Sequence, residues 1–259
     1  IMEKKSPIIK NIVDSFRIID VINEKGSIGI AKISEILSIP KTSVFRIVKT
    51  LEEIHVIKQL ENSDYTLDYR LLSYAKGTSQ ENKLISVAEP YLQKISKETG
   101  ESVNLGIRYQ NEVIIVKSIE GEFYQLQTTL IPVSPLYCSG MGKLFLSQES
   151  EEFLQDYFNN LEKRTVNTIT EYNEFLLAKK RILELNLSID NEEYEYGLSC
   201  YAVPIFDCNN DLICAISITG PSNRLMHKGE EYLIKVLKEQ ANNLQTEFSK
   251  FCLLYTSPS

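Results

Sequence analysis

The segment YCSGMGKLF, residues 137–145, gathers two glycines, a serine and a lysine at the start of an apolar run. Small residues turning into a helix leave backbone N–H groups converging on one point, with the positive end of the helix dipole behind them. A carboxylate or a phosphate fits such a point. A nucleotide P-loop does not form here: Gly-x-x-x-x-Gly-Lys-Ser/Thr is required, and Tyr137 stands at the first glycine position and Leu144 at the last. Nor does a Gly-x-Ser-x-Gly nucleophile elbow surround Ser139. Two readings stay open. The segment is an anion cradle, or its glycines only permit tight packing.

Other chemistry is sparse. The five cysteines, Cys138, Cys200, Cys208, Cys214 and Cys252, are odd in number and include no Cys-x-x-Cys pair, which speaks against a disulfide framework and against a zinc site. They read as packed or surface thiols. Cys200 with Asp190 and a histidine could form a nucleophile arrangement. However, His55 lies in the N-terminal part and His227 in a polar loop. We therefore expect no enzyme, no metal site and no cofactor.

A second pattern points to nucleic acid. In PKTSVFRIVKTLEEI, Pro40 can open a helix at no cost in hydrogen bonding. Val44, Ile47, Val48 and Leu51 follow at helical spacing and predict a buried face. Lys41, Thr42, Ser43, Phe45, Arg46 and Lys49 are left facing outward or sideways. No acidic residue occurs from Ile36 to Leu51. Such a face suits the DNA major groove, because cations neutralise phosphates and short polar side chains reach base edges.

The elements that must position these residues follow from periodicity. NIVDSFRIIDVINEKG, with Ile12, Val13, Phe16, Ile19 and Ile22, predicts a first helix ending at Gly26. GIAKISEILSI predicts a second, with Ile30, Ile33, Ile36 and Leu37 on one side. HVIKQLENSDYTLDYRLL reads as two short strands around a polar turn. Three helices and a hairpin make a winged helix-turn-helix over residues 1–70. A linker helix over 71–82 leads to an α+β domain over 83–250, with mostly antiparallel strands. The strands are SVNLGIRY, EVIIVKSIE, EFYQLQTTL, LSCYAVPIFD and LICAISITG, between helices that begin with LISVAEPYLQKISKETG and end with GEEYLIKVLKEQANNLQTEF. Residues 251–259 read as a disordered or appended tail.

Composition agrees. With 43% hydrophobic and 24% charged residues the chain reads as an ordinary globular protein rather than a disordered one. The net charge of −7 is uneven: residues 1–75 hold 11 Lys or Arg against 10 Asp or Glu, and the remainder 17 against 25. The less acidic part is the one read as touching DNA. No apolar run approaches the roughly 18 residues a membrane span needs, and the N-terminal residues lack a secretory pattern. We expect a cytoplasmic protein without a membrane partner.

The whole chain, from about Ile8 to about Phe248, resembles the IclR-type family of bacterial transcriptional regulators. The likeness rests on LSIPKTSVFRIVKTLEE, VAEPYLQKISKETGESVNLGI, PLYCSGMGKLFL, DNEEYEYGLSCYAVPIFD and ICAISITGP, in that order. Two family glycines are replaced, by Asp68 after the wing and near Ile131–Pro132 before PLYC. The resemblance implies a GAF- or profilin-like effector domain. It further implies a double-stranded DNA operator, a small carboxylate effector such as a sugar acid or keto acid, repression as the mode of control, and a homodimer or a tetramer built from two dimers. The effector residues that match are Ser139, Gly140, Met141, Gly142, Asp190, Cys200, Ala202, Ser217 and Thr219. Their spacing is sensible, since Cys200 with Ala202, and Ser217 with Thr219, each share one face of a strand.

Overall fold

The structure is a computed structural model and describes residues 8–71, 73–74, 83–122, 133–207 and 209–255. The chain divides into two compact units, residues 1–81 and 82–259.

In the first unit α1 (Lys10–Lys25), α2 (Ile30–Leu37) and α3 (Lys41–Glu53) precede a two-stranded sheet of β1 (Ile57–Gln59) and β2 (Tyr65–Leu67). The strands pair antiparallel, with Ile57 opposite Leu67 and Gln59 opposite Tyr65. Gly26, at φ 71°, ends α1, and Ser38, in the left-handed region at φ 53°, ends α2. Pro40 opens α3, and its carbonyl accepts from the N–H groups of Ser43 and Val44. The core comprises Ile18, Ile22, Ile33, Val44, Val48, Ile57 and Tyr65. Two sequence readings change here. The buried stripe of α1 is Asp14, Ile18, Val21 and Ile22, so Ile12, Val13 and Phe16 form a separate stripe that is 54%, 43% and 63% exposed. Likewise Ile36 of α2 is exposed, and Ile33 is the residue of that helix buried in the core. A helix of this amphipathic kind offers a face wider than the single neighbour it packs on.

In the second unit the order is α4 (Lys83–Thr99), β3 (Ser102–Tyr109), β4 (Glu112–Ile119), β5 (Val133–Pro135), α5 (Gly140–Ser147), α6 (Glu151–Tyr157), a 3-10 turn (Phe158–Asn160), α7 (Tyr172–Leu185), β6 (Ser188–Asn191), β7 (Leu198–Phe206), β8 (Leu212–Pro221), α8 (Ser222–Lys228) and α9 (Glu230–Tyr255). The strands form one antiparallel sheet in the order β5-β4-β3-β8-β7-β6. Residue alternation sorts its faces. Tyr201, Val203, Ile205, Ile216 and Ile218 join a core with Leu92 and Ile95 of α4 and Leu233 and Leu237 of α9. Cys200, Ala202 and Ala215 join a second core with Met141, Leu144 and Phe145 of α5 and Phe175 of α7. This is the expected α+β arrangement, with helices on both faces.

The strand read in EFYQLQTTL lies almost wholly outside the described residues, as does most of the linker helix, of which Leu71, Ser73 and Tyr74 are described and helical. The last helix runs on to Tyr255, into the stretch read as a tail.

Candidate DNA-binding and effector sites

Helix α3 turns Val44, Val48 and Leu51 into the core. Lys41, Thr42, Phe45, Arg46 and Lys49 are exposed, with Ser43 half-buried. The face therefore carries its cations and hydroxyls outward, as the spacing predicts. Lys49 is partly engaged: its Nζ lies 2.7 Å from Glu52 Oε2 and 5.6 Å from the centre of the Tyr65 ring. Thr50 turns its hydroxyl back onto the Arg46 carbonyl at 2.8 Å.

In the second unit, pairing register aligns the polar side chains into two rows across the sheet. Asp190 lies opposite Cys200, Cys200 opposite Thr219, and Thr219 opposite Ser102. One step further along the strands, Ala202 lies opposite Ser217, Ser217 opposite Asn104, and Asn104 opposite Ser118. Ser118 Oγ donates to Asn104 Oδ1 at 2.8 Å, and Asn104 Nδ2 donates to Thr219 Oγ1 at 3.3 Å. A cavity of about 190 Å³ opens over these rows.

Of the predicted effector residues, Ser139, Gly140, Met141, Asp190, Cys200 and Thr219 line this cavity. Gly142, Ala202 and Ser217 do not line it. The start of helix α5 lies over β7, touching both rows: a Cβ at Gly140 would stand 3.0 Å from Cys200 Sγ and 3.4 Å from Ala202 Cβ. Ser217, fully buried opposite Ala202, has an Oγ without a hydrogen-bond partner among the described residues. Gly142 packs against Leu136. Thus the glycines do permit close packing, and by doing so they bring the helix start to the cavity.

Ser139 caps α5. Its Oγ accepts from Gly142 N–H at 3.1 Å and donates to the Pro135 carbonyl at 2.8 Å. The hydroxyl is thus committed to the turn. Lys143 points elsewhere. Its Nζ donates to the Ile189 carbonyl at 2.7 Å and pairs with Glu193, both side chains being buried. Asp190 is 3% exposed, and its Oδ1 accepts from the N–H of Glu193 at 2.7 Å and of Tyr194 at 3.3 Å. Burial pushes its pKa up to about 7, against the pull of those donors and of the Lys143 charge. Burial likewise pushes the Cys200 thiol up to about 11 and the Cys138 thiol up to about 12, so neither is a thiolate nucleophile near neutral pH. Among the described residues no cluster of His, Cys, Asp and Glu could hold a metal ion, and no helix is long and apolar enough to cross a membrane.

A helix-turn-helix with a wing, followed by a domain of this topology, has a counterpart. The pattern of the IclR helix-turn-helix domain matches residues 15–61, and that of the bacterial transcriptional regulator IclR C-terminal domain matches residues 77–246. The chain belongs to the IclR family of bacterial transcriptional regulators. Members of the IclR family are regulators rather than enzymes, with a DNA-binding helix-turn-helix and a C-terminal effector-binding domain. The chain is 29% identical over 225 residues to the DNA-binding transcriptional repressor YiaJ of Escherichia coli, covering 84% of this chain and 80% of that protein. The crystal structure of Thermotoga maritima IclR superposes with a TM-score of 0.62 at 27% identity, covering 92% of this chain and 98% of the other. An IclR homologue from Microbacterium hydrocarbonoxydans, solved in complex with 4-hydroxybenzoate, shares the fold with a TM-score of 0.68 at 18% identity, covering 92% and 98% of the two chains.

Several cavity residues escaped the sequence reading: Ser102, Asn104, Ser118, Ser134, Tyr194 and Arg224. A signal existed for two of them. Ser102 and Asn104 alternate with Val103 and Leu105, as Ser217 and Thr219 alternate with Ile216 and Ile218. Arg224 had none, since only the turn after β8 carries it to the wall.

Proposed function

We propose that the chain represses transcription as a homodimer whose cavity binds a small organic acid, a sugar acid or keto acid, and that this ligand sets its affinity for an operator. The observation that carries the reading is the cavity itself. It combines the start of α5, a buried Asp190 and the side chains of Ser102, Asn104, Ser118 and Thr219. N–H groups at a helix start suit a carboxylate. Hydroxyls, an amide and a buried carboxyl whose pKa is pushed up to about 7 suit the hydroxyls or carbonyls of the ligand's remainder. Operator contact falls to Lys41, Thr42, Ser43, Phe45, Arg46 and Lys49 on α3. The exposed stripe of Ile12, Val13 and Phe16 on α1 is an apolar face of the kind a second copy would cover. The acid acts as a switch only if it binds one arrangement of the dimer better than the other.

The test is a thermal-shift screen of the full chain against keto acids, sugar acids and aromatic acids, 4-hydroxybenzoate included. An Asp190→Asn/Thr219→Val variant, changed at two residues that line the cavity, is run in parallel. An acid that raises the melting temperature of the wild type but not of the variant supports the reading. Its effect on binding to an operator duplex, by fluorescence anisotropy, then measures the coupling. Absence of any shift across the three classes sinks the effector assignment.

A further inference from the structure

Helix α3 leaves one large apolar side chain in solvent. Phe45 is 50% exposed, while Val44, Val48 and Leu51 fill the core. Single exposed apolar residues are common on protein surfaces, so exposure alone says little. Nor does the helix need the ring. Phe is a poorer helix former than Ala, Gln or Lys. Ile47, two residues on, already adds apolar packing against the core, and among the described residues the Phe45 ring stacks on no other ring.

The neighbours of Phe45 say more. Residues three and four positions apart share a helix face. For Phe45 these are Lys41, Thr42 and Lys49, all exposed, with Val48 turned to the core. Arg46, next in sequence, is exposed as well. Lys41 and Lys49 stand about 12 Å apart along the axis, with Phe45 midway. No carboxylate precedes Glu52 on this helix.

The two kinds of side chain divide the work of a groove. Cations meet phosphates, which seat a helix without reading sequence. A phenyl ring has no hydrogen-bond donor or acceptor. It adds nothing to a phosphate contact and cannot read the polar pattern of the base edges. The major groove presents one methyl group among those edges, on C5 of thymine. A ring held between two lysines is placed to meet it when both lysines reach phosphates.

We propose that Phe45 is a sequence-reading residue of α3, and that it recognises a thymine of the operator through the C5 methyl group in the major groove. The proposal rests on the reading of α3 as the face that meets DNA and names a base which that face selects.

The test starts from a site that the full chain selects out of random-sequence duplexes. Each thymine of that site is replaced in turn by deoxyuridine, which lacks only the methyl group, and binding is followed by fluorescence anisotropy. For the wild type at least one replacement should weaken binding about fourfold, the yield of burying one methyl-sized group. Phe45→Ala should bind the thymine site more weakly than the wild type and lose nothing further with deoxyuridine at that position. Its salt dependence should match that of the wild type, which shows that the fold and the phosphate contacts persist. Phe45→Gln, polar and a good helix former, is measured beside it and should behave alike. A wild type indifferent to deoxyuridine at every position overturns the proposal and leaves α3 as the DNA-binding face. So does a selected site without thymine, or a methyl effect that both variants retain in full. Weaker binding by the variants without a methyl effect in the wild type also overturns it, being the pattern of a ring wedged between bases. A selection that enriches no sequence, with binding that does not respond to salt, overturns the assignment of α3 as well.

Discussion

A Cβ placed on Gly142 would lie 2.4 Å from the carbonyl oxygen of Leu136 and 2.5 Å from its Cα. The neighbour is backbone and cannot rotate away, so α5 must move if the residue grows. Gly142→Ala is expected to cost about 1–3 kcal/mol, the usual range for overpacking. It should also weaken any acid that stabilises the wild type, since α5 carries one wall of the cavity. Urea denaturation of the full chain measures the first effect, and a midpoint within error of the wild type would mean that α5 steps back freely.

Lys143 and Glu193 form a buried pair, and Glu193 Oε2 has no further partner. Lys143→Met strands the carboxylate and should destabilise the domain by about 3–5 kcal/mol near neutral pH. Burial already raises the pKa of Glu193, so the variant should recover part of its deficit in mild acid as that group takes up a proton. Lys143→Met/Glu193→Leu should recover most of it at every pH. Thermal melts from pH 5 to pH 8 separate the three proteins. A deficit in Lys143→Met that does not vary with pH would contradict this account.

Asp190 titrates at about 7 in the fold against an ordinary 3.8. A raised carboxyl pKa means that the folded form holds the proton more tightly than the unfolded one. Its contribution to stability is therefore full below about pH 4 and is lost as pH rises through about 7. Asp190→Asn keeps an oxygen to accept from Glu193 and Tyr194 and removes the titration. Relative to that variant, the wild type should lose on the order of a few kcal/mol between pH 5 and pH 8. Parallel stability curves for the two proteins would show that Asp190 is ionised throughout.

On α3, Arg46 is exposed without an ion-pair partner among the described residues, while Lys49 is engaged with Glu52. Arg46→Ala should weaken binding to duplex DNA and lower the slope of log affinity against log salt by about 1. Lys49→Ala should change both by less. Fluorescence anisotropy at several salt concentrations measures affinity and slope together. The assigned face is wrong if Arg46→Ala binds as the wild type does.

The helix boundaries were legible in the sequence because their causes are local. Pro40 opens α3, Gly26 and Gly100 end the helices before them, and alternation in LSCYAVPIFD and LICAISITG sorts the sheet faces. The order of these segments was enough to suggest the family, and through it six of the residues that line the cavity, Ser139, Gly140, Met141, Asp190, Cys200 and Thr219. Two kinds of fact were not legible. Which apolar stripe of a helix finds a neighbour depends on packing, so Ile12, Val13 and Phe16 read like Ile22 although of these four Ile22 alone is in the core. Which polar residues meet depends on strand register. Asn104 reaches Thr219 across 115 positions of chain, and Arg224 reaches Glu101 across 123.

The sequence by itself determined the elements, the alternation of the strands and the family, through periodicity, caps and motif order, all of which act within a few residues. The tertiary structure decided the site. It laid the start of α5 over Cys200 and Ala202, turned Lys143 away from the cavity onto Glu193, and brought Arg224 to the wall. The physical reason is that a buried charge or hydroxyl takes whatever partner the fold brings within about 3 Å. Separation along the chain carries no record of that choice.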